Sequence, residues 1–298
     1  MRTPVGIIGL GIMGSAMAAS LLRAGHAVVG YDVVARRRRD HRRVGGMIAK
    51  NAAGVGSTAD IVISSLPSAE ALLQTALDLS HAPRRRQIVI ETSTLPIAVK
   101  DEARQRLAAG GITLLDCPLS GTGVQARTKD LVVYGSGDRP AYRRVIPVLQ
   151  AFARAQYYVG GFGAGSKVKF IANLLVAVHN VAAAEALVLG MKAGLDLDLL
   201  VKVIGDGAGT SRMFQVRAPV MAKGDYSNAM MKLEVWQKDM RIIADFAREV
   251  DCPTPLFAAS APIYTAATAS GRRGEDTAAV CAVLEKLAGI GRKLKVKS

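Results

Sequence analysis

A doubly wound, mostly parallel α/β sheet followed by an all-α C-terminal domain is the architecture this 298-residue sequence predicts. Three observations carry that prediction. Short β-branched runs alternate with helical segments from Val5 to Gly160, the pattern of a parallel sheet covered on both faces. Strand signals then stop at the glycine-rich run Gly160-Gly-Phe-Gly-Ala-Gly165. Beyond it the apolar spacing is helical to the end of the chain.

Taken in order, Val5-Gly-Ile-Ile-Gly-Leu10 reads as a short buried strand, and residues 13–24 as a helix of small and apolar residues ended by Gly25. Residues 27–31 form a second strand that closes on Asp32. Further β-type runs fall at 61–65, 87–92, 112–115 and 131–134, with helices expected at 68–79 and 97–109. After the glycine-rich run, residues 166–194 read as one long helix, followed by helices near 196–205, 232–250 and 276–288. The change of pattern divides the chain into 1–162 and 163–298, and no repeat of 20–50 residues appears. The last residues, 292–298, read as a basic, frayed tail.

Composition excludes several classes. Half the residues are hydrophobic and mean hydropathy is +0.23, which rules out global disorder. Aromatics make up only 5%, too few for a protein that stacks on single-stranded nucleic acid. Cys117, Cys252 and Cys281 are scattered without a CxxC pair, so reduced thiols and a cytoplasmic location are expected. His26, His41, His81 and His179 show no ligand spacing, and no metal site is expected. The uncharged stretch 3–22 carries four glycines with a better use, given below. Asn173, His179, Asn180 and Glu185 interrupt the apolar stretch 170–191, so no membrane segment is expected.

Gly9-Leu10-Gly11-Ile12-Met13-Gly14 is a GxGxxG placed between a strand and a helix, with an acid at the end of the next strand. This is the context of a Rossmann-type dinucleotide site. Gly9 permits the tight turn, Gly11 lets a pyrophosphate approach the backbone, and Gly14 packs the helix against the strand. The helix N-terminus then turns free N–H groups toward phosphate. Asp32 suits the ribose hydroxyls of NAD and repels the extra phosphate of NADP. The following Arg36-Arg-Arg-Arg-Asp-His-Arg-Arg43 moderates that preference, since Arg36 or Arg37 can pair with a 2′-phosphate.

The run Val5-Gly-Ile-Ile-Gly-Leu-Gly-Ile-Met-Gly-Ser-Ala-Met-Ala18 is similar to the opening signature of the β-hydroxyacid dehydrogenases. That family includes 3-hydroxyisobutyrate dehydrogenases, tartronate semialdehyde reductases and relatives of 6-phosphogluconate dehydrogenase. Three more segments match in order: Asp116-Cys-Pro-Leu-Ser-Gly-Thr-Gly123, Gly163-Ala-Gly-Ser-Lys-Val-Lys-Phe-Ile-Ala-Asn173, and Lys238-Asp239. The resemblance covers nearly the whole chain. It implies an NAD(P)-dependent oxidoreductase that interconverts a short 3-hydroxy acid and its semialdehyde or keto acid, working as a homodimer or homotetramer. It makes Lys169 the general acid/base, Asn173 its partner, and Ser120, Gly121 and Thr122 the substrate anchor. Leu66, Pro67, Thr94 and Lys238 become cofactor contacts. Thr122 stands where many members have glycine, and Ala71 where a cofactor-contacting Asn often sits.

The residues themselves agree with that assignment. Lys169 and Asn173 are four apart and share one helix face. Lys167 lies about 200° from Lys169 around the helix, so the two cannot enter one cleft. A lysine on a buried helix beside a cationic nicotinamide is expected to hold its proton less tightly, as a general base must. The Ser120–Gly123 turn offers a hydroxyl and backbone N–H groups suited to a small carboxylate. Two other readings compete. One is a non-catalytic dinucleotide module bound to nucleic acid, which the net charge of +15 would allow, although no DNA-binding motif is present. The other is an imine-reducing relative on the same fold, a group that generally lacks the lysine. The charge is concentrated at 36–43, 84–86, 272–273 and the C-terminus, away from the catalytic motifs.

Overall fold

The computed structural model describes residues 3–81 and 86–291; the tail 292–298 and Arg84 and Arg85 lie outside the described residues. Nine strands build one sheet: β1 (Val5–Ile8), β2 (Val28–Tyr31), β3 (Met47–Ile48), β4 (Ile61–Ser64), β5 (Ile88–Glu91), β6 (Thr113–Asp116), β7 (Leu119–Ser120), β8 (Leu131–Ser136) and β9 (Ala153–Gly160). The helices between them are α1 (Ile12–Arg23), α2 (Ala35–Arg43), α3 (Ala52–Thr58), α4 (Ala69–Ser80), α5 (Ile97–Ala109), α6 (Gly123–Arg127) and α7 (Arg139–Phe152). Then follow α8 (Ala164–Lys192), α9 (Leu197–Asp206), α10 (Arg212–Lys223), α11 (Leu233–Glu249), α12 (Pro255–Ala267) and α13 (Val280–Leu287). A 3-10 turn, Thr277–Ala279, leads into α13. The chain forms two compact units, Met1–Lys169 and Phe170–Ser298. Their division falls inside α8, because the first turn of that helix is hydrogen-bonded into the first unit.

In the first unit the strand order is β3-β2-β1-β4-β5-β6-β8-β7, with β9 paired to β8. The pairs from β3 to β6 are parallel; β8 runs antiparallel to β6 and β7 and parallel to β9. Register aligns the carboxyl ends: Ile8 faces Tyr31 and Ser64, Ser64 faces Glu91, and Glu91 faces Asp116. Ile7, Ile63, Ile90 and Leu115 pack on one face with Met17, Leu21, Val145 and Leu149. Their neighbours Ile8, Val62, Val89 and Leu114 pack on the other with Val55, Leu72, Leu79 and Leu107. Burial of both faces explains why these strands read as unbroken β-branched runs.

Three strands escape sequence reading for physical reasons. β3 and β7 are two residues long, too short for a period to register. β9 begins at the residue after α7 ends, with no turn residue to announce it. In the second unit, α10 and α12 contain Pro219 and Pro262, which on sequence grounds argue against helix.

The second unit is helical and is held by buried polar pairs. Asn180 donates to the Tyr264 hydroxyl and to the Thr277 carbonyl, 3.0 Å each, and the Tyr264 hydroxyl donates to the Ala177 carbonyl. One Arg217 nitrogen lies 2.5 and 2.6 Å from the two oxygens of Asp276. Asp276 also accepts the backbone N–H groups of Met230 and Ala278. By length and composition α8 could cross a membrane, yet it spends Asn173 and Asn180 on hydrogen bonds within this unit.

The buried face of α2 carries His41, in a hole left by two glycines: a Cβ on Gly30 or Gly46 would come within 2.8 or 2.1 Å of its ring. Burial holds its pKa below the ordinary value. The unfolded chain therefore binds the proton more readily, and stability contributed by neutral His41 is present above about pH 6.5 and lost below it. Urea unfolding at pH 7.5 and 5.5 is expected to show a fall in stability that is smaller in His41→Leu; equal falls in both proteins would refute the assignment.

Candidate functional site

β1 ends at Ile8, and the chain turns at Gly9 with φ +92°. A Cβ on Gly9 would lie 2.1 Å from the Ser65 carbonyl, and one on Gly14 would lie 1.8 Å from the Gly9 carbonyl. Both glycines are demanded by the turn itself. Gly11 differs, since a Cβ there would meet nothing within 4 Å. The space beside Gly11 is the space a pyrophosphate would need. Gly11 also caps α1 without a side chain, so no side chain competes for the first-turn N–H groups. Leu10 is buried, Met13 half-buried and Ile12 exposed at the mouth of the turn.

Asp32, buried at the end of β2, accepts the Leu10 N–H and the Val34 N–H, both at 2.8 Å. It thus holds the glycine turn against the second strand. Arg37 pairs with it at 3.2 Å, and Arg38 donates to its carbonyl while lying over the Tyr31 ring. Arg36 is largely exposed, 3.8 Å from Asp40.

The other positions of this unit expected from sequence to contact a cofactor lie after neighbouring strand ends. The Leu66 N–H donates to the Ser93 hydroxyl at 2.8 Å, which joins the loop after β4 to the loop bearing Thr94. Pro67 is exposed, and Leu66 and Thr94 are half-buried. After β6 the chain buries Cys117 and Pro118, forms β7, and turns at Gly121 with φ +131°. Burial pushes the Cys117 thiol far up, so it cannot serve as a nucleophile. Ser120 is half-buried. Thr122 caps α6 in a capping box with Gln125, which commits its backbone N–H to the Gln125 Oε1 at 3.0 Å. A Cβ on Gly123 would lie 2.4 Å from Ile12 Cγ2, so this glycine lets the dinucleotide turn and the Ser120–Gly123 segment meet.

The first turn of α8 is pinned in the same unit. A Cβ on Gly165 would strike the Tyr134 and Asp116 carbonyls at 2.3 and 2.7 Å. The Gly165 N–H donates to Ser136 Oγ (2.9 Å), and the Ser166 N–H and hydroxyl donate to the two oxygens of Asp116, 2.8 Å each. Lys167 is exposed and Lys169 half-buried. Asp116 also contacts Lys100 Nζ at 2.8 Å, and Lys100 Nζ lies 2.7 Å from Glu91 Oε2. All three side chains are fully buried. Burial opposes the Lys100 charge, but Asp116 and Glu91 outweigh it and hold the ammonium above the ordinary lysine range.

In the second unit Asn173 is buried on α8 and donates from Nδ2 to Asp239 at 3.1 Å. Lys238 pairs with the other oxygen of Asp239 at 3.4 Å. The sequence singled out Lys238 of this Lys-Asp pair as the contact residue; the structure gives Asp239 a task of its own, that of orienting Asn173. Glu91, Lys100 and Ser93 were not foreseen. Lys100 had a readable signal: it falls on the face of α5 that buries Ala103 and Leu107, where a lysine needs a partner. Among the described residues no cluster suited to a metal ion is present.

Residues 4–160 match a protein-family profile described as the NAD binding domain of 6-phosphogluconate dehydrogenase. Residues 163–284 match one described as the NAD-binding domain of NADP-dependent 3-hydroxyisobutyrate dehydrogenase. The chain is 38% identical to an L-threonate dehydrogenase of Cupriavidus necator, over 94% of this chain and 95% of that one. It is 32% identical to a 3-sulfolactaldehyde reductase of Escherichia coli, over 98% and 99%. A solved 3-hydroxyisobutyrate dehydrogenase of Salmonella typhimurium superposes with a TM-score of 0.86 at 33% identity, covering 95% of this chain and all of that one.

The glycine geometry separates two substitutions. Gly11→Ala is expected to leave thermal stability unchanged and to weaken NADH binding by roughly tenfold or more, since only the ligand meets the new methyl. Gly14→Ala must displace the Gly9 carbonyl and is expected to lower the melting temperature as well. Fluorescence titration and thermal unfolding check both, and equal behaviour of the two variants would contradict the assignment.

Proposed function

The chain belongs to the β-hydroxyacid dehydrogenase family, and on that premise we propose that it oxidises a short polyhydroxy acid of the threonate class, with Lys169 as general acid/base and NAD as the preferred dinucleotide. Its N-terminal region is an NAD(P)-binding domain, and the chain is an oxidoreductase of alcohol groups. One observation carries the assignment of Lys169 and Asn173. They stand one turn apart on α8, Lys169 half-buried while its rival Lys167 is exposed, and Asn173 buried with its amide committed to Asp239.

The bound nicotinamide would supply the hydride acceptor. Gly9, Leu10, Gly11, Ile12, Met13 and Gly14 would hold its pyrophosphate, and Leu66, Pro67, Thr94 and Lys238 would line its path. Lys169, entering as the neutral amine, takes the proton from the substrate hydroxyl, and in reduction returns it to the carbonyl oxygen. Asn173, turned by Asp239, presents its amide oxygen as an acceptor that orients the hydroxyl or the lysine. The Ser120 hydroxyl and the tight Gly121 turn receive the carboxylate, while Thr122 shapes the turn by capping α6. The carboxylate of Asp32 supports NAD, because a 2′-phosphate would be repelled there. Arg37 is already paired with that carboxylate, which leaves exposed Arg36 as the arginine more available to NADP. Threonate stands first among candidate acids because the relative at 38% identity is an L-threonate dehydrogenase. Exposed Ile171, Leu175, Leu189, Leu199 and Val203 on the helices of the second unit support a homodimer or homotetramer.

A panel of L-threonate, 3-hydroxyisobutyrate, glycerate, serine and 4-hydroxybutyrate, assayed with NAD and with NADP, tests the reading. L-threonate with NAD is expected to give the highest kcat/KM; silence from every acid with both cofactors would sink it. Lys169→Met is expected to lose about 10²-fold or more in kcat while retaining NADH binding. Full activity in that variant would point instead to imine chemistry. Light scattering is expected to show two or four copies, and a monomer would refute the assembly.

A further inference from the structure

Three stretches with separate tasks in the proposed reaction end on one buried ionic cluster in the first unit. The Leu66 loop donates its N–H to Ser93 Oγ, and the Ser93 N–H donates to Glu91 Oε1 at 2.9 Å. Glu91 is paired to Lys100, and Lys100 to Asp116, the first residue of the substrate segment. Asp116 then holds Ser166 by both its N–H and its hydroxyl. Ser136, which donates to the Asp116 carbonyl, accepts the Gly165 N–H. An unbroken series of polar contacts therefore runs from the cofactor loop to the first turn of α8, three residues before Lys169.

Such a cluster is a poor way to gain stability. Each ion loses several kcal/mol of hydration on burial, and apolar residues of equal volume often stabilise as well or better. What charge-assisted hydrogen bonds add is direction and register, which apolar contacts leave loose. Register matters here because Lys169 lies about 4.5 Å along the helix from Ser166, and a slip of the first turn moves its amine by a similar distance. A misplacement of about 1 Å can cost a hydride-transfer enzyme two orders of magnitude in rate.

We propose that Lys100 is a positioning residue: acting through Asp116, it fixes the register of the first turn of α8 and so the place of the Lys169 amine relative to the loops at Leu66 and Thr94. The proposal rests on Lys169 being the acid/base of the reaction. It predicts that Lys100 acts on turnover and leaves dinucleotide affinity alone, because the Ser93 loop is held by Glu91 Oε1 while Lys100 touches Oε2, and an amide oxygen at that position still accepts the Ser93 N–H.

The test uses the full chain. Lys100→Met alone strands two buried carboxylates and is expected to unfold the chain, so it is combined as Glu91→Gln/Lys100→Met, which keeps the net charge of the cluster and leaves Asp116 its three donors from Ser166 and Ser136. Ser166→Ala is the second variant, removing one hydroxyl and no charge. Four quantities are read: kcat and KM with L-threonate and NAD, the Kd for NADH, and hydrogen–deuterium exchange of amides 164–169. In both variants kcat is expected to fall by roughly tenfold or more, with the NADH Kd unchanged and exchange at 164–169 accelerated about tenfold over the wild type. A folded variant with wild-type kcat and wild-type exchange at 164–169 overturns the proposal. So does a loss of kcat matched by an equal loss of NADH affinity, the mark of general destabilisation. If the double variant does not fold, Ser166→Ala decides. If the wild type does not turn over L-threonate, the substrate reading fails by itself, and exchange at 164–169 still decides whether the cluster sets the helix register.

Discussion

Lys100 lies fully buried between Glu91 and Asp116, at the ends of two adjacent parallel strands, and the polar contacts along that edge of the sheet depend on its placement. Parallel register brings the two carboxylates side by side, where they would repel unless a cation lay between them. Once Lys100 supplies it, the spare acceptor capacity of Glu91 orders the Ser93 loop, and that of Asp116 orders the start of α8. The same residue that ends β6 therefore begins the Asp116–Gly123 segment and anchors the first turn of α8. Few changes here are local, since each charge in the cluster is the condition for burying the others.

The dinucleotide turn depends on shape more than on charge. Two of its glycines are required by carbonyls that leave no room for a side chain, and the third stands open for a ligand. Asp32 serves the architecture of the turn, because its two oxygens tie the Leu10 and Val34 N–H groups. A strongly basic helix follows directly: Arg37 and Arg38 are drawn to Asp32, and of the rest of α2 only His41 is buried. Among the described residues the arginines of α2 other than Arg38 are exposed, so the charge of this helix is chiefly a surface property.

In the second unit a similar economy appears in smaller form. Asp239 orients Asn173 and pairs with Lys238, so one carboxylate organises a hydrogen-bonding amide and a cation. Asp276 meanwhile gathers Arg217 and three backbone N–H groups, closing the chain segment before α11 onto the turn before α13. Burying these groups is tolerable only because each has several partners. The asparagines of the long apolar helix α8, Asn173 and Asn180, are buried on the same terms, each with a polar partner in this unit.

By itself the sequence determined the local chemistry: the strand–glycine–helix turn, the acid at the end of the second strand, and the lysine and asparagine one turn apart on a helix. These are legible because each is a short pattern enforced by backbone geometry within a few residues. Helix 97–109 was readable to its ends for the same reason. Only the tertiary structure decided that Thr122 caps a helix, that Asp239 turns Asn173, and that Glu91, Lys100, Asp116 and Ser166 form one cluster. Those residues are scattered along the chain, and their meeting depends on strand order and register. A buried lysine and an exposed one are written with the same letter, and the difference between them is made by what the folded sheet places beside each.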